Sequence, residues 1–510
     1  MITANFDPLE LDKPWAKALE SLAAANVIER LWSLDHTVVQ EDPTEVSNRL
    51  GWLEVTDSSR ADWPRWVVAA DQAVDGDSYD DVIVLGMGGS SLFPEVLART
   101  FEPGDDFPRL TVLDSTDPAA VARVAEAADP ERTFVLASSK SGSTVETRSH
   151  LAYFWSRLPT GRNFAVVTDP GSALEKLAID SHFRFVAHGV PEIGGRYSAL
   201  SAFGMFPAAL MGLDGLTLLD AADEAAEALG SDTPVEHHMG AQLGALLAVA
   251  AQNGRDKVTF VIEDDLAALG SWLEQLLAES TGKQGKGLLP VVGESTSSPD
   301  PDSRIHVFIG SADFLAESAL AGSTVPSVRL LVEEPEDLGA QLFLWEFATA
   351  ITGVVLGINP FDQPDVESAK RAARELLASP GQPVVETSID DALAMLGAGD
   401  ALVIGAFVDP ALEPQLQAAR RVLGDRAGVA TTLGIGPRFL HSTGQLHKGG
   451  PDRIVMLQVV SDDPDDIAVP GEDFTFGQLK HAQADGDLAA MKAAGKRAVR
   501  VPLADLLNLG

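Results

Sequence analysis

Residues 138–147 carry the densest group of hydroxyl side chains in the sequence and read Ser-Ser-Lys-Ser-Gly-Ser-Thr-Val-Glu-Thr. Six of these ten residues are hydroxylic, and Gly142 lets the backbone turn. The stretch follows an apolar run at 133–137 that predicts a strand, and it opens a predicted helix over 145–158. A strand that ends this way before a helix presents O–H donors and free N–H groups at one point, which favours a phosphate or another anion. An ordinary helix N-cap is the alternative, although a cap uses one hydroxyl rather than six.

A second loop follows the predicted strand at 82–86 and reads Gly-Met-Gly-Gly-Ser-Ser at 86–91. It is close to a dinucleotide-binding fingerprint, but the glycine spacing is wrong and no acidic residue ends a second strand at the required distance. A small anion or sugar loop that faces residues 138–147 is the more coherent interpretation. Gly89 and Ser90 are its candidate binding residues.

Three charged residues are candidates for acid–base or electrostatic chemistry. Arg196 lies in Gly-Gly-Arg-Tyr-Ser at 194–198, and an arginine fork suits a carboxylate, a phosphate or a developing enediolate. Glu279 closes a predicted helix, with Gln275 four residues earlier on the same face. Lys370 follows a proline-punctuated turn that begins at Asn359. A structural arginine, a solvated glutamate and a surface lysine are the corresponding plain alternatives.

Residues 441–451 form an unusually polar stretch, His-Ser-Thr-Gly-Gln-Leu-His-Lys-Gly-Gly-Pro, with two of the ten histidines. We predict an irregular loop here, either functional or with structural histidines. Metal binding would need further ligands at a spacing that the stretch lacks. The chain has no cysteine, which excludes disulfides, thiol nucleophiles and thiolate metal sites.

The composition restricts the partners. The 510 residues include 37 Lys and Arg against 75 Asp and Glu, a net charge of −38. Such a chain is a poor non-specific partner for nucleic acids or acidic membranes, because its negative charge repels them. An anionic substrate therefore needs a local group of hydrogen-bond donors or cations that offsets the overall negative charge. The N-terminus has acids and a proline where a signal peptide needs bases and an apolar core, and we expect no apolar run of membrane-spanning length. The cytoplasm is the simplest predicted location.

From residue 81 onward, short apolar runs alternate with helical stretches. This alternation predicts an α/β fold with parallel sheets flanked by helices, in which ligands lie at the carboxyl ends of the strands. One long helical stretch is expected over 197–229. We predict four parts: a helical lead-in packed on the first domain (1–55), a first α/β domain (56–230), a second of similar order (231–380) and a smaller α/β C-terminal segment (381–510).

Taken together, five motifs in order resemble the glucose-6-phosphate isomerase family. They are the Gly-x-Gly-Gly-Ser loop at 86–91, the phosphate loop at 139–147, the arginine motif at 194–198, Glu-Ser-Thr-Gly-Lys at 279–283, and Phe-Asp-Gln with Val-Glu and Lys within 359–370. The loop at 436–451 is similar to the isomerase half of bacterial proteins that fuse this enzyme to a transaldolase. The resemblance implies two stacked sugar-isomerase domains, a homodimer, a phosphosugar substrate, and neither cofactor nor metal.

The family's site residues carry over by motif. Its phosphate contacts fall on Ser90, Ser139, Ser141 and Thr144, with the backbone of Lys140. Its base falls on Glu279 and its arginine on Arg196, and its other polar positions match Gln275, Gln363 and Lys370. The implied reaction is the reversible isomerisation of D-glucose 6-phosphate and D-fructose 6-phosphate through a cis-enediol. A dual enzyme that also accepts mannose 6-phosphate and a non-catalytic phosphosugar-sensing module are the alternatives.

The chain departs from the family in its histidine. The family's ring-opening histidine lies between the Glu and Lys motifs, where this chain has only His306, in an apolar strand pattern. We therefore expect His441 or His447 to supply the function. His447 is preferred because Gly-Gln-Leu-His at 444–447 partly echoes the family's Gly-Gln-His pattern.

Overall fold

The computed structural model describes residues 3–77, 79–158, 160–297, 299–318, 323–365, 375–377 and 384–509. Three sheets flanked by helices make up this part of the chain. The α/β class predicted from the alternation of apolar runs is confirmed.

The first sheet is wholly parallel. Its strand order is β3-β2-β4-β5-β6, with β2 at Asp81–Leu85, β3 at Arg109–Leu113, β4 at Thr133–Ser138, β5 at Phe164–Thr168 and β6 at Phe185–His188. Side chains alternate between the faces, so Val82 and Val84 join one hydrophobic core while Ile83 and Leu85 join another. Burial on both faces explains the continuous apolar runs. The connecting helices are Leu92–Thr100, Pro118–Ala127, Val145–Arg157 and Ala173–Asp180.

The second sheet has the order β1-β10-β9-β7-β8, and only β1 is antiparallel to its neighbour. Its strands are β1 at Ala4–Asp7, β7 at Lys257–Ile262, β8 at Leu289–Val292, β9 at Arg304–Gly310 and β10 at Ser327–Leu331. Its helices include Met239–Gln252, Leu269–Thr281, Ala312–Glu317 and Leu338–Leu356.

The start of the chain differs from the expected purely helical lead-in. Residues 4–7 form β1 at the edge of the second sheet, and the helices Asp12–Ala24 and Val27–Trp32 follow. The indole N–H of Trp15 donates to the carbonyl of Gln242 at 2.9 Å. The strand and this contact place the first residues against the second sheet and its Met239–Gln252 helix. The helix Val55–Asp77 then precedes β2 of the first sheet.

Two helices replace the single stretch expected over 197–229. They are Ala202–Leu210 and Gly215–Ala228. Gly212 between them has φ +70°, outside the helical region, and the Asp214 carboxylate accepts from the N–H of Leu216 to cap the second helix. The caps, rather than the apolar pattern, set this boundary.

The helix Leu338–Leu356 is both long and apolar. Together with the preceding turn, 335–356, it is long and apolar enough to cross a bilayer by length and composition, so the expectation of no such run was wrong. However, 89% of its 18-residue apolar stretch is buried inside the protein. It is a core helix, packed on the helices Gly215–Ala228 and Met239–Gln252.

The third sheet is parallel and lies in the C-terminal segment. Its order is β12-β11-β13-β14, with β11 at Ala401–Phe407, β12 at Ala430–Ile435, β13 at Ile454–Val460 and β14 at Arg497–Arg500. Its helices are Ile389–Leu393, Glu413–Ala427, Gly444–Gly449, Phe476–Ala493 and Leu503–Leu507. Ala278 and Leu289 of the second unit share a core with this sheet, which brings the segment against the helix that ends near Glu279.

Candidate active site

Two loops rich in glycine and hydroxyl groups leave adjacent strands of the first sheet. β2 and β4 pair in parallel, with Leu85 opposite Ala137. Residues 86–91 and 139–144 therefore emerge side by side at the carboxyl edge, where open α/β sheets bind ligands.

The loop at 139–144 is ordered by its own hydroxyls. Ser139 Oγ lies 3.1 Å from Thr144 Oγ1, and Ser141 Oγ lies 2.8 Å from Ser143 Oγ. Gly142 has φ +67°, which L side chains rarely adopt. The helix Val145–Arg157 begins here, and the Thr144 side chain makes no capping hydrogen bond. Hydroxyls and helical N–H groups thus converge at one point that suits a phosphate.

The side chain of Lys140 is engaged away from these hydroxyls. Its ammonium donates to the Asp169 carboxylate at 2.6 Å and to the Val190 carbonyl at 2.9 Å. Burial lowers the pKa of this ammonium, although Asp169 acts in the opposite direction. A ligand in the loop would therefore meet the backbone of Lys140 rather than its charge.

The loop at 86–91 packs tightly against the arginine motif. A Cβ on Gly89 would lie 1.9 Å from the Gly195 carbonyl oxygen, so only glycine permits this approach. Gly88 has φ +55°, and a Cβ there would lie 2.8 Å from Gln275 Nε2 and 2.9 Å from the His441 carbonyl oxygen. Ser90 is buried in the turn Gly88–Ser90. These glycines hold three separate site segments together.

Glu279 and Arg196 form the charged centre of the site. Arg196 Nη1 lies 3.6 Å from Glu279 Oε1, and both residues are buried. Gln275 Nε2 donates to Glu279 Oε2 at 3.0 Å from one turn earlier in the same helix. Each oxygen of the Glu279 carboxylate therefore has a neighbour that fixes its orientation, Arg196 for Oε1 and Gln275 for Oε2.

Four further bonds fix the guanidinium of Arg196. It donates to Ser280 Oγ at 2.8 Å, Gln363 Oε1 at 2.6 Å, the Pro360 carbonyl at 2.6 Å and the Asp362 carbonyl at 2.9 Å. The arginine therefore joins the motif at 194–198 to the helix of Glu279 and to the turn that carries Gln363.

Lys283 holds the turn at residues 359–362 through its ammonium group. Its ammonium donates to the Asn359 carbonyl at 2.7 Å and to the Asp362 carboxylate at 2.7 Å. Burial, followed by the nearby charge of Arg196, lowers the pKa of Lys283 to about 8. Its role here is to hold the turn at residues 359–362. Lys370 lies outside the described residues.

His441 comes from the C-terminal segment and reaches the site. Its Nε2 lies 2.8 Å from Glu146 Oε1, in the first turn of the helix Val145–Arg157, and Gln483 Nε2 donates to the same oxygen at 2.6 Å. The His441 carbonyl accepts from Gln275 Nε2 at 2.8 Å. Burial acts to raise the pKa of Glu146, but the adjacent His441 lowers it overall. Glu146 is therefore held as a carboxylate against the imidazole.

His447 lies in a different environment, inside the helix Gly444–Gly449 rather than in the irregular loop expected there. It is 2% exposed, its ring packs against Phe439, and neither ring nitrogen has a hydrogen-bond partner among the described residues. Burial, followed by the charge of Lys448, lowers its pKa to about 3. The structure does not support the preference for His447, because this ring faces the C-terminal core while His441 faces the site.

Sequence reasoning missed Glu146 and Gln483. Glu146 stands inside the hydroxyl-rich motif, so its position next to a phosphate loop was a usable signal. Gln483 sits in the helix Phe476–Ala493 with no local pattern that marks it.

Comparisons with known proteins show which family the chain resembles. A family model described as phosphoglucose isomerase matches residues 53–290. A glucose-6-phosphate isomerase of Rubrobacter xylanophilus is 30% identical over 373 residues, covering 61% of this chain and 85% of the relative. One from Thermosynechococcus vestitus is 30% identical over 378 residues, covering 63% of this chain and 70% of the relative.

Solved structures show the same fold. A glucose-6-phosphate isomerase from Chlamydia trachomatis matches with a TM-score of 0.61 at 20% identity, covering 74% of this chain and 88% of that chain. A hypothetical protein from Thermus thermophilus matches with a TM-score of 0.61 at 24% identity, covering 74% of this chain and 100% of that chain.

Proposed function

This chain belongs to the phosphoglucose isomerase family and interconverts D-glucose 6-phosphate and D-fructose 6-phosphate, and we propose that Glu279 is the base that moves the proton between C2 and C1. The observation that carries this role is the buried contact of the Glu279 carboxylate with Arg196 at 3.6 Å. It pairs a proton acceptor with a fixed cation, which is what proton abstraction beside a carbonyl requires.

The phosphate anchor holds the far end of the substrate. Ser139, Ser141 and Thr144 supply hydroxyls, and the Lys140 backbone and Ser90 complete the set. Supporting this assignment are the converging hydroxyls and the uncapped helix start described above. Phosphate binding energy then positions the reacting carbons against Glu279.

In the chemical step, Glu279 takes the proton from C2 of the open-chain aldose. The C–H electron pair forms the C1–C2 double bond of a cis-enediolate, and the charge that develops on oxygen faces the guanidinium of Arg196. The hydroxyl proton then passes from O2 to O1, and return of the first proton from Glu279 to C1 forms the C2 carbonyl of the ketose. Gln275 keeps the carboxylate aimed at this edge through its bond to Oε2, and Gln363 does the same for the arginine.

We assign ring opening to His441, which exchanges protons with the ring oxygen and O1. The Glu146 carboxylate stabilises the imidazolium that forms when the ring nitrogen takes up a proton. The 2.8 Å contact between the two side chains supports this pairing. A role for Lys370 beside the histidine stays a prediction.

Replacing Glu279 with Gln tests the base. Glu279→Gln keeps the shape and the Gln275 contact but removes the proton acceptor. We expect turnover to fall by about 10²–10⁴-fold while phosphosugar affinity stays near the wild-type value. Glu274→Gln is the matched control, on the same helix but outside the proposed machinery, and it should turn over normally. Near-normal turnover of Glu279→Gln would rule out the role.

Activity assays distinguish the two alternatives, a phosphosugar-sensing module and an isomerase that also accepts mannose 6-phosphate. The buried pair of Glu279 and Arg196 argues against a non-catalytic phosphosugar-sensing module, and turnover of glucose 6-phosphate separates the module from the enzyme. Assaying mannose 6-phosphate beside glucose 6-phosphate tests dual specificity.

We also propose a homodimer located in the cytoplasm, working without metal or organic cofactor, on the strength of the family resemblance. The domain division proposed is a lead-in at 1–55, sugar-isomerase domains at 56–230 and 231–380, and a C-terminal segment at 381–510. It is supported by the three sheets, apart from β1, which joins the second sheet from the lead-in.

A further inference from the structure

The helix Phe476–Ala493 of the C-terminal segment contacts the first unit just beyond the carboxyl end of β3. Two of its side chains, Lys480 and Gln483, lie one turn apart and meet the consecutive residues Thr116 and Asp117. The buried Lys480 ammonium donates to Asp117 Oδ2 at 2.9 Å. Because breaking a buried ion pair leaves an uncompensated charge, this contact holds the helix against the loop that follows β3.

Gln483 lies in the middle of a hydrogen-bonded chain of four side chains from four segments. Thr116 Oγ1 donates to Gln483 Oε1 at 2.9 Å. Gln483 Nε2 donates in turn to Glu146 Oε1 at 2.6 Å, and His441 Nε2 lies 2.8 Å from the same oxygen. Each of the first three residues is at most 4% exposed, so water competes little for these bonds. We call these four side chains the Thr116–His441 chain.

The two ends of the Gln483 amide are not interchangeable in this chain. If the amide were reversed, its Oε1 would face Glu146 Oε1 at 2.6 Å, and two oxygens with no proton between them repel each other. The Glu146 carboxylate therefore requires the Nε2 end, and the Thr116 hydroxyl satisfies the Oε1 end. A hydrogen bond that is donated to a carboxylate favours its ionised form.

The charge state of Glu146 decides which ring nitrogen of a neutral His441 carries the proton. An ionised carboxylate only accepts hydrogen bonds, so His441 Nε2 must donate its N–H to it. The ring then keeps its lone pair on Nδ1, which makes no hydrogen bond to the described residues. A protonated Glu146 would instead donate to Nε2 and leave the ring proton on Nδ1, where the nitrogen could not accept a proton from the sugar.

We propose that Gln483 is a positioning residue for ring opening: held by Thr116, it keeps Glu146 ionised and His441 in the Nε2–H form, so that Nδ1 exchanges the proton with the sugar. The inference rests on the ring-opening role proposed for His441. Gln483 acts only through Glu146.

Neighbouring titratable side chains on the two helices do not supply this hydrogen bond to Glu146. His150 follows one turn later in the same helix, and burial lowers its pKa to about 4, so the ring is neutral near neutral pH. The Lys480 ammonium, one turn before Gln483, is held by Asp463 as well as by the carboxylate that follows β3.

NMR of the full chain labelled with ¹⁵N in the histidine rings reports the tautomer directly. The His441 signal is identified by its loss in His441→Leu. At a pH high enough to keep the ring neutral, we expect the Nε2–H form in the wild type. Gln483→Leu should shift it toward the Nδ1–H form, because a buried Glu146 without this donor is protonated more readily. Gln478→Leu is the matched control on the same helix, since Gln478 is exposed and bonds the N–H of Thr475.

Gln483→Glu separates a hydrogen-bond donor from a side chain that only fills space. The new carboxyl keeps the shape, and in its protonated form it can donate to Glu146 and accept from Thr116 as the amide does. In its ionised form it has no proton to donate, so kcat relative to the wild type should fall as pH rises. In Gln483→Leu we expect kcat to fall by about tenfold or more. KM for the phosphosugar should stay near the wild-type value in both variants.

Melting temperatures show which variants are folded. Thr116→Val is the milder change if Gln483→Leu does not fold, because it removes only the bond to the amide oxygen, and it should shift the tautomer in the same direction. The role of Gln483 is overturned if the folded variants keep the wild-type tautomer and pH profile while His441→Leu has lost turnover. A shifted tautomer with wild-type kcat would instead overturn the ring-opening role of His441, and the inference with it.

Discussion

His441 Nε2 lies 2.8 Å from Glu146 Oε1, although 295 residues separate the two in the sequence. The contact joins a turn of the C-terminal segment to the first turn of the helix that follows the phosphate loop. The C-terminal segment therefore contributes a side chain to the edge of the candidate site.

A pair of identical substitutions separates the two candidate histidines. His441→Leu removes the imidazole beside Glu146, and we expect kcat to fall by about 10²-fold or more while phosphosugar binding is kept. His447→Leu replaces a ring whose nitrogens have no hydrogen-bond partner among the described residues by an apolar side chain of similar size, so turnover should remain close to that of the wild type. Steady-state kinetics and phosphosugar titration provide the comparison.

The reverse pattern, with His447→Leu inactive and His441→Leu active while both remain folded, would return ring opening to His447. The melting temperature of each variant serves as the control for folding.

The parts of the site that sequence predicts well lie in contiguous motifs at strand ends. The loop at 138–147 follows β4 and the loop at 86–91 follows β2, and parallel pairing brings both to one edge. Glu279 and Gln275 were placed together by helical spacing alone, and their side chains meet at 3.0 Å. Local rules suffice where neighbours in space are neighbours in sequence.

Contacts between distant segments follow no such rule. Which histidine faces the site depends on how the helix Gly444–Gly449 packs on Phe439. The partial match of residues 444–447 to the family's Gly-Gln-His pattern does not predict that packing. The break near Gly212 depends on a positive φ that an apolar helical pattern does not reveal. Only the tertiary structure sets the partner of Glu146.

The contact of Gly89 with Gly195 gives a steric prediction. A Cβ on Gly89 would lie 1.9 Å from the Gly195 carbonyl oxygen, a clash with backbone that no rotamer relieves. We expect Gly89→Ala to lower the melting temperature and abolish most of the turnover. Gly195→Ala is the matched control, since a Cβ there would have no atom of the described residues within 4 Å beyond its chain neighbours. Equal behaviour of the two variants would show that the loop does not need this approach.

The phosphate anchor predicts graded changes in KM. Loss of one hydroxyl that bonds a charged phosphate removes about 1.5–3 kcal/mol, so Ser139→Ala and Thr144→Val should each raise KM by about tenfold or more. Ser156→Ala on the helix that follows should leave KM close to that of the wild type, because Ser156 is exposed and lies outside the loop. A larger effect at Ser156 than at Ser139 would contradict the assigned contacts.

Glu346 predicts an unusual pH dependence of stability. It lies in the core helix Leu338–Leu356, fully buried, with no hydrogen-bond partner for either oxygen among the described residues. Phe343 and Phe347 on the same helical face pack against Trp52, which places the acid in an aromatic core. Burial raises the pKa of Glu346 well above its ordinary value of 4.5. The native state therefore keeps this proton to a higher pH than the unfolded chain does.

The sign of the effect follows from proton counting. Above about pH 4.5 the unfolded chain releases the proton while the native state retains it, so this group makes the free energy of unfolding fall as pH rises, by up to about 1.4 kcal/mol per pH unit. Glu346→Gln removes the titration and keeps the shape. The free energy of unfolding of Glu346→Gln, measured by urea unfolding, should exceed that of the wild type only slightly near about pH 5. This difference should grow toward about pH 8. The exposed Glu317→Gln variant should follow the wild type throughout, and parallel stability profiles for the wild type and Glu346→Gln would show that Glu346 is ionised in the native core.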